Sequence, residues 1–97
     1  MQIARPPDGF KIIERPAVAG LIATSCEEWP RLAHHWEAIK SRLKFTGHRE
    51  GVGVPVPNRP GYRLFVDDGD VSAGLPRVKV IYLPLGDVLK IEMVAVG

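Results

Sequence analysis

The sequence has little of several features that would narrow its function at once. Cys26 is the single cysteine among 97 residues, so no internal disulfide and no cysteine cage for a metal can form. No apolar run approaches the ~20 residues that a membrane-spanning helix needs, and residues 1–10 lack the apolar stretch of a secretory signal. These absences predict a cytoplasmic protein with no membrane partner.

The sequence also lacks a large excess of positive or negative residues. The formal net charge is only +2, too small to indicate nucleic-acid binding by itself. A chain that is 45% hydrophobic and 25% charged has the composition of one compact domain with one core. We therefore expect a single domain over residues 1–97, with a loose N-terminus at residues 1–9 that carries a Pro-Pro pair and an Asp-Gly turn signal.

The N-terminal half contains the strongest periodic signal. A short apolar run at residues 10–15 predicts a first strand. Pro16 suits the first position of a helix, but the segment after it, "PAVAGLIATS", also contains Gly20 and β-branched residues and is compatible with a strand. From Glu27 to Phe45 the spacing predicts one helix of about five turns, with acidic residues at its start and basic residues at its end. Its apolar stripe consists of Trp29, Leu32, Ala33, Trp36, Ile39 and Leu43.

The C-terminal half predicts strands. A loop rich in glycine and proline at residues 47–60 precedes three strand-like segments, "YRLFV", "RVKVIYL" and "VLKIEMVAV", the last two joined by a turn at "PLGD". The order β-α-α-β-β-β indicates an α+β fold, with an antiparallel sheet and a helical hairpin on one face. Strict alternation places Met93 and Ala95 with Leu89 and Ile91 on the covered face, and leaves Lys79, Lys90 and Glu92 on the open face.

Motifs for metal or cofactor chemistry are weak. His34 and His35 are adjacent, so on a helix they point about 100° apart and cannot easily hold one ion. The acidic segment "DDGD" lacks the spacing of a calcium loop and indicates a hairpin turn. The glycines near residue 51 lead into prolines and not into a helix, which excludes a phosphate-binding loop. We predict no cofactor and no metal.

Basic residues are the remaining candidates for chemistry, and Tyr62 and Tyr82 are interleaved with them. Cations beside aromatic rings on a sheet suit RNA, whose phosphates need charge and whose bases need a stacking surface. An ordinary solvated surface is the alternative, and the sequence does not separate the two. The cations are Lys40, Arg42, Lys44, Arg49, Arg59, Arg63, Arg77 and Lys79, with His48 beside them.

The order of elements and the segments "GYRLFV", "VKVIYL" and "LPLGDVLKIEMVAVG" resemble the RelE/ParE family, the toxins of type II toxin–antitoxin systems. The resemblance covers about residues 10–97 and implies an antitoxin as partner. RelE-like members cleave ribosome-bound mRNA. By position the resemblance implies Arg63 and Lys79 as catalytic, phosphate-facing residues within reach of one phosphate. Tyr82 and His48 are weaker candidates, and RNA contacts are expected from Lys44, Arg49 and Arg77.

The sequence also departs from the RelE pattern. Phe65 stands where a second cation is expected, the link from Asp67 to Pro76 is long, and the sequence stops at Gly97 without the basic tail of active RNases. The ParE branch, which poisons DNA gyrase by binding, needs none of these residues. A second hypothesis is a non-enzymatic interaction module, in which "VLKIEMVAV" is a terminal edge strand that pairs with a partner or forms a homodimer. A third is a likeness of architecture alone.

Overall fold

A computed structural model describes residues 9–49 and 52–97. Its elements confirm the α+β class, with one more strand than expected; the loose segment predicted at residues 1–9 lies outside the described residues, apart from Gly9. The elements are β1 (Lys11–Glu14), α1 (Pro16–Glu28), α2 (Leu32–Thr46), β2 (Val54–Pro55), β3 (Arg63–Asp67), a 3-10 turn (Val71–Ala73), β4 (Val78–Leu85) and β5 (Val88–Val96).

The five strands form one sheet in the order β1-β5-β4-β3-β2. Four of them are antiparallel to their neighbours, but β1 pairs in parallel with β5, Lys11 lying opposite Val88 and Glu14 opposite Ile91. The expected purely antiparallel sheet is therefore wrong. Local periodicity indicates that β1 is a strand, but it carries no information about a neighbour from the other end of the chain.

The position of β5 also corrects the edge-strand hypothesis. Residues Val88–Ile91 pair with β1 on one side and with β4 on the other, so this half of β5 is interior to the sheet. The segment "VLKIEMVAV" is thus not an edge along its whole length. Beyond Ile91 the pairing with β1 ends, and among the described residues only β4 continues beside β5.

The helix predicted from residue 27 to residue 45 starts later than expected, at Leu32, and residues 27 and 28 belong to the helix before it. The break falls at Trp29, whose backbone (φ −122°, ψ 80°) is not helical because the next residue is Pro30. Glu27 and Glu28 consequently end α1, and they do not begin α2. The segment after Pro16, left open between helix and strand, is helical.

Both helices pack on one face of the sheet. The predicted α2 stripe is confirmed for Leu32, Trp36, Ile39 and Leu43, all of which are buried. Together with two residues of α1 they cover the alternate, buried positions of β3, β4 and β5. The other core residues are Phe10, Val18, Ile22, Phe65, Val78, Val80, Tyr82, Leu89 and Ile91.

A β-bulge in β5 changes which residues face the helices. Tyr82 lies opposite Ile91 and Ile81 lies opposite Met93, so Glu92 is one extra residue on the β5 side. After the bulge, Val94 and Val96 pack against the core, while Met93 is 53% exposed. The expectation that Met93 and Ala95 share a face with Leu89 and Ile91 is wrong for this reason.

Candidate functional site: two faces of the sheet

Arg63 begins β3 and points to the side of the sheet that the helices cover. It lies opposite Tyr82 in the strand register and shares its face with the buried Phe65. Its guanidinium donates hydrogen bonds to the carbonyl oxygen of Gly53 and, at 3.2 Å, to that of Arg49. Arg63 therefore fastens the chain that leaves α2 onto the sheet.

Tyr82 makes a second attachment beside Arg63. Its ring is fully buried, and its hydroxyl donates a 2.9 Å hydrogen bond to the carbonyl oxygen of Gly47. Burial raises the pKa of Tyr82, although a hydrogen bond from Arg63 and the positive charge of Arg63 both act to lower it. Gly53 lies so close to this hydroxyl that a side chain at residue 53 would collide with it.

His48 belongs to the same region. It is half-buried, follows Gly47 directly and has its ring centroid 6.0 Å from that of Phe10. Three of the predicted catalytic residues are thus gathered where the loop meets the sheet. Arg63 and Tyr82 already donate hydrogen bonds there to main-chain carbonyl oxygens of the protein itself.

Lys79 lies on the opposite side of the sheet. It alternates along β4 with Val78 and Val80, which are buried beneath the helices, and is itself exposed. Val66 and Ala95 are its neighbours on β3 and β5. The expectation that Arg63 and Lys79 reach one phosphate is wrong, because the sheet separates their side chains.

The three predicted RNA-binding residues do not form one patch. Lys44 is on α2, where its ammonium lies 5.4 Å from the centroid of the Phe45 ring. Arg49 is in the loop after α2, and its carbonyl oxygen accepts a bond from Arg63. Arg77 precedes β4, 3.6 Å from the carboxylate of Asp68.

The side of the sheet that no helix of the described residues covers carries an apolar surface, which we call the open face. It consists of two rows of residues that lie side by side on β3, β4 and β5: Leu64, Ile81 and Met93 in one row, and Val66, Lys79 and Ala95 in the other. Between the rows lies a shallow cleft of about 250 Å³. Within residues 9–49 and 52–97, Lys79 makes no ion pair.

Cations border the open face. Arg77 lies two residues before Lys79 and points to the same side of the sheet. Lys90, on β5, lies opposite Leu83 of β4. Lys90 is 3.4 Å from Glu92, which also accepts a 3.1 Å bond from Arg15. Of the two lysines expected here, Lys79 is therefore the more available to a negatively charged partner.

Sequence reasoning missed a tether on the helix side. His35 of α2 lies 3.1 Å from the Asp67 carboxylate at the end of β3, and Arg31 donates a 2.6 Å bond to the Ala73 carbonyl oxygen. These contacts hold the long link between β3 and β4 against α2. No sequence signal joins His35 to Asp67, because the two residues are 32 positions apart and local patterns carry no information about contacts between distant segments.

Comparisons with models of known protein families, with curated proteins and with solved structures give no match to this chain. Among the described residues, no helix is long and apolar enough to span a membrane. In the same part of the chain, no three histidine, cysteine or acidic side chains are grouped so that they could hold a metal ion.

Proposed function

We propose that this protein is a RelE/ParE-like toxin that acts by binding, and that the open face is its working surface. The observation that carries the proposal is the apolar, cation-bordered open face on a sheet whose other face is filled by helices. Exposed apolar patches with polar borders are typical of macromolecule-binding surfaces. The sequence resemblance supplies the toxin class, and the geometry favours binding over acid–base cleavage.

The residues of the covered face support a binding mechanism. General acid–base catalysis needs a proton-transferring group within hydrogen-bond reach of the substrate. Tyr82 is fully buried and bonded to Gly47, and Arg63 is bonded to the loop. These two residues serve the fold in this proposal. An antitoxin would neutralise the protein by covering the open face, where an acidic residue meets Lys79.

A RelE-like mRNA endoribonuclease is the second candidate. The observation that favours it is the position of Lys79, exposed and unpaired within the described part of the chain, with Arg77 two residues away on the same side. Two cations at this spacing can receive a phosphate group. In this candidate Lys79 stabilises charge on the phosphate, and the proton donor comes from the ribosome or from the RNA.

Expression from an inducible promoter in a bacterial host tests the toxin class. We expect wild-type protein to slow growth and Lys79→Glu to restore it. Arg42→Glu, which makes the same charge change on the helix side, should still slow growth, because Arg42 is on α2. A wild-type protein that never slows growth at detectable expression would refute the toxin class.

Cell-free translation separates the two candidates. Mapping of mRNA 5′ ends after addition of the protein should give no new cleavage sites if binding alone is the mechanism. Ribosome-dependent cleavage that disappears in Lys79→Ala but persists in Arg42→Ala would instead establish the RNase. Both variants should first be shown to fold as the wild type does by circular dichroism.

A further inference from the structure

Half of β5 has a free edge. On the β4 side its pairing runs from Val88 to Val96 and continues in a 2.8 Å bond from the Gly97 amide to the Arg77 carbonyl oxygen. On the other side β1 pairs only as far as Ile91. No strand of the described residues pairs with Glu92–Val96 on that side, and we call this segment the free edge.

The bulge decides which main-chain groups the free edge presents. Before the bulge, the carbonyl groups of Asp87 and Ile91 accept bonds from the β1 side. After the bulge, the Gly97 amide donates to the Arg77 carbonyl oxygen, so this pair is a hydrogen-bonded pair of the antiparallel ladder. Such pairs occur at every second residue, and the main-chain groups of Ala95 and Met93 therefore also point toward β4. The N–H and C=O groups of Val94 and Val96 therefore point away from the sheet, giving two donors and two acceptors in strand geometry.

Apolar space lies on both sides of the free edge. On the helix side, a cleft of about 180 Å³ separates α1 from β5. This α1 cleft is lined by Ala17, Val18, Leu21, Glu92, Met93 and Val94. On the other side is the open face, whose cleft of about 250 Å³ is also lined by Met93 and Val94. Leu21 is 42% exposed, so the α1 cleft is accessible from solvent.

We propose that the free edge accepts an extended segment of a partner protein as a sixth strand. Main-chain bonds to Val94 and Val96 would provide affinity, and the flanking side chains would provide specificity. A residue of the segment opposite Val94 points into the α1 cleft and should be apolar. This inference rests on the proposed function only for the identity of the partner, an antitoxin-type protein.

Lys79 defines the charge of that segment. Ala95, on β5, lies opposite Lys79 of β4 and therefore between Lys79 and an added strand. Its methyl side chain is too short to block contact between Lys79 and a side chain of that strand. An added strand lies about 9–10 Å from β4, two strand spacings away, which a lysine and a glutamate can span together. The partner segment should therefore alternate apolar and acidic residues, with an acid opposite Ala95.

A second copy of this chain fits the free edge less well. Antiparallel pairing of two copies would relate them by a two-fold axis perpendicular to the joint sheet, so both helical layers would lie on the same side. Each α1 borders its own free edge and would meet the other α1 there. A slender extended peptide meets no such obstacle.

The outer edge of β1 is a competing acceptor on the same side of the sheet as the free edge. It has four residues, and the cavity beside it is lined largely by charged groups, among them Glu14, Glu37, Lys40 and Lys44. Ile12 points its N–H away from β5, since Lys11 and Arg15 donate to β5 on either side of it. A proline at residue 12 is thus a matched control for a proline at residue 94.

The test uses a labelled peptide, Thr-Val-Glu-Val-Glu-Val-Thr, whose binding is followed by fluorescence anisotropy. We expect saturable binding to the wild-type protein, about tenfold weaker for Val94→Pro because one edge donor is lost. Proline is tolerated where a strand N–H faces solvent. Ile12→Pro should bind as the wild type does, and a peptide methylated on its backbone nitrogens should not bind.

Charge reversal provides a second test that needs no proline. Lys79→Glu should weaken binding of the glutamate peptide about tenfold and strengthen binding of the matching lysine peptide. Equal binding of the glutamate peptide by wild type, Val94→Pro and Lys79→Glu would overturn the proposal. So would loss of binding in Ile12→Pro alone, absence of any peptide binding, or a wild-type dimer in light scattering that Val94→Pro converts to monomer. The two proposals fail separately: a wild-type protein that inhibits growth but binds no peptide contradicts only the strand-addition proposal, and one that binds the peptide but does not inhibit growth contradicts only the toxin class.

Discussion

Arg63 and Lys79 project from opposite faces of one sheet. Arg63 lies opposite Tyr82 on the face that the helices cover, and Lys79 lies opposite Val66 and Ala95 on the open face. One phosphate group therefore cannot contact both side chains at once. The two residues that the RelE resemblance groups together therefore have different consequences when they are changed.

Arg63→Ala should lower stability, whereas Lys79→Ala should not. Truncation of Arg63 leaves the Gly53 and Arg49 carbonyl groups without their donor, which costs about 1–3 kcal/mol. Lys79 makes no ion pair in the described residues, so its truncation should change stability by less than about 0.5 kcal/mol. Urea denaturation of both variants measures the difference, and equal midpoints would contradict it.

Tyr82→Phe should cost about 1 kcal/mol at neutral pH, because the Gly47 carbonyl group loses its hydrogen bond. The effect should also depend on pH. Burial raises the pKa of Tyr82 in the folded protein above its unfolded value of about 10. Its contribution to stability is thus complete below that value and is lost as pH rises toward the folded pKa. Urea titrations at neutral pH and near pH 11 should show that alkali destabilises the wild type more than Tyr82→Phe.

Glu14 holds β1 against α2 through the indole of Trp36. The Trp36 Nε1 atom donates a 2.6 Å bond to Glu14, and Lys40 lies 3.4 Å from the other carboxylate oxygen. Glu14→Ala leaves a buried donor unpaired and should cost about 2 kcal/mol. Glu14→Gln keeps an acceptor for the indole and should cost less. A glutamine variant as unstable as the alanine variant would assign the effect to the charge of Lys40 instead.

The His35–Asp67 contact should show energetic coupling in a double-mutant cycle. The two side chains lie 3.1 Å apart and are largely buried between α2 and the end of β3. We expect the double variant to lose less unfolding free energy than the sum of the losses in His35→Ala and Asp67→Ala, with a coupling energy of about 1 kcal/mol. Asp67 also accepts a bond from the Gly69 amide, so Asp67→Asn is a useful intermediate. Full additivity would mean that the tether contributes nothing.

Local patterns predicted the elements well. The stripe of α2 and the strands of the C-terminal half follow from periodicities that each segment carries itself. The composition of the segment after Pro16 is compatible with both a helix and a strand. Pro30 also carried the information that the long helix breaks, since a residue before proline is driven out of the helical region.

The pairing of the strands could not be predicted in the same way. The parallel contact between β1 and β5 joins segments far apart in the sequence, and the bulge at Glu92 is a shift in the register between β4 and β5. One extra residue moved Met93 and Ala95 to the open face and turned the main-chain groups of Val94 and Val96 toward the free edge. The free edge itself exists because β1 ends at Glu14, opposite Ile91.

Growth of a bacterial host during induced expression is the decisive test of whether the open face around Lys79 is the working surface. We expect wild type and Arg42→Glu to inhibit growth at equal protein levels and Lys79→Glu not to inhibit it. Inhibition by Lys79→Glu as strong as that of the wild type would contradict this role of the open face.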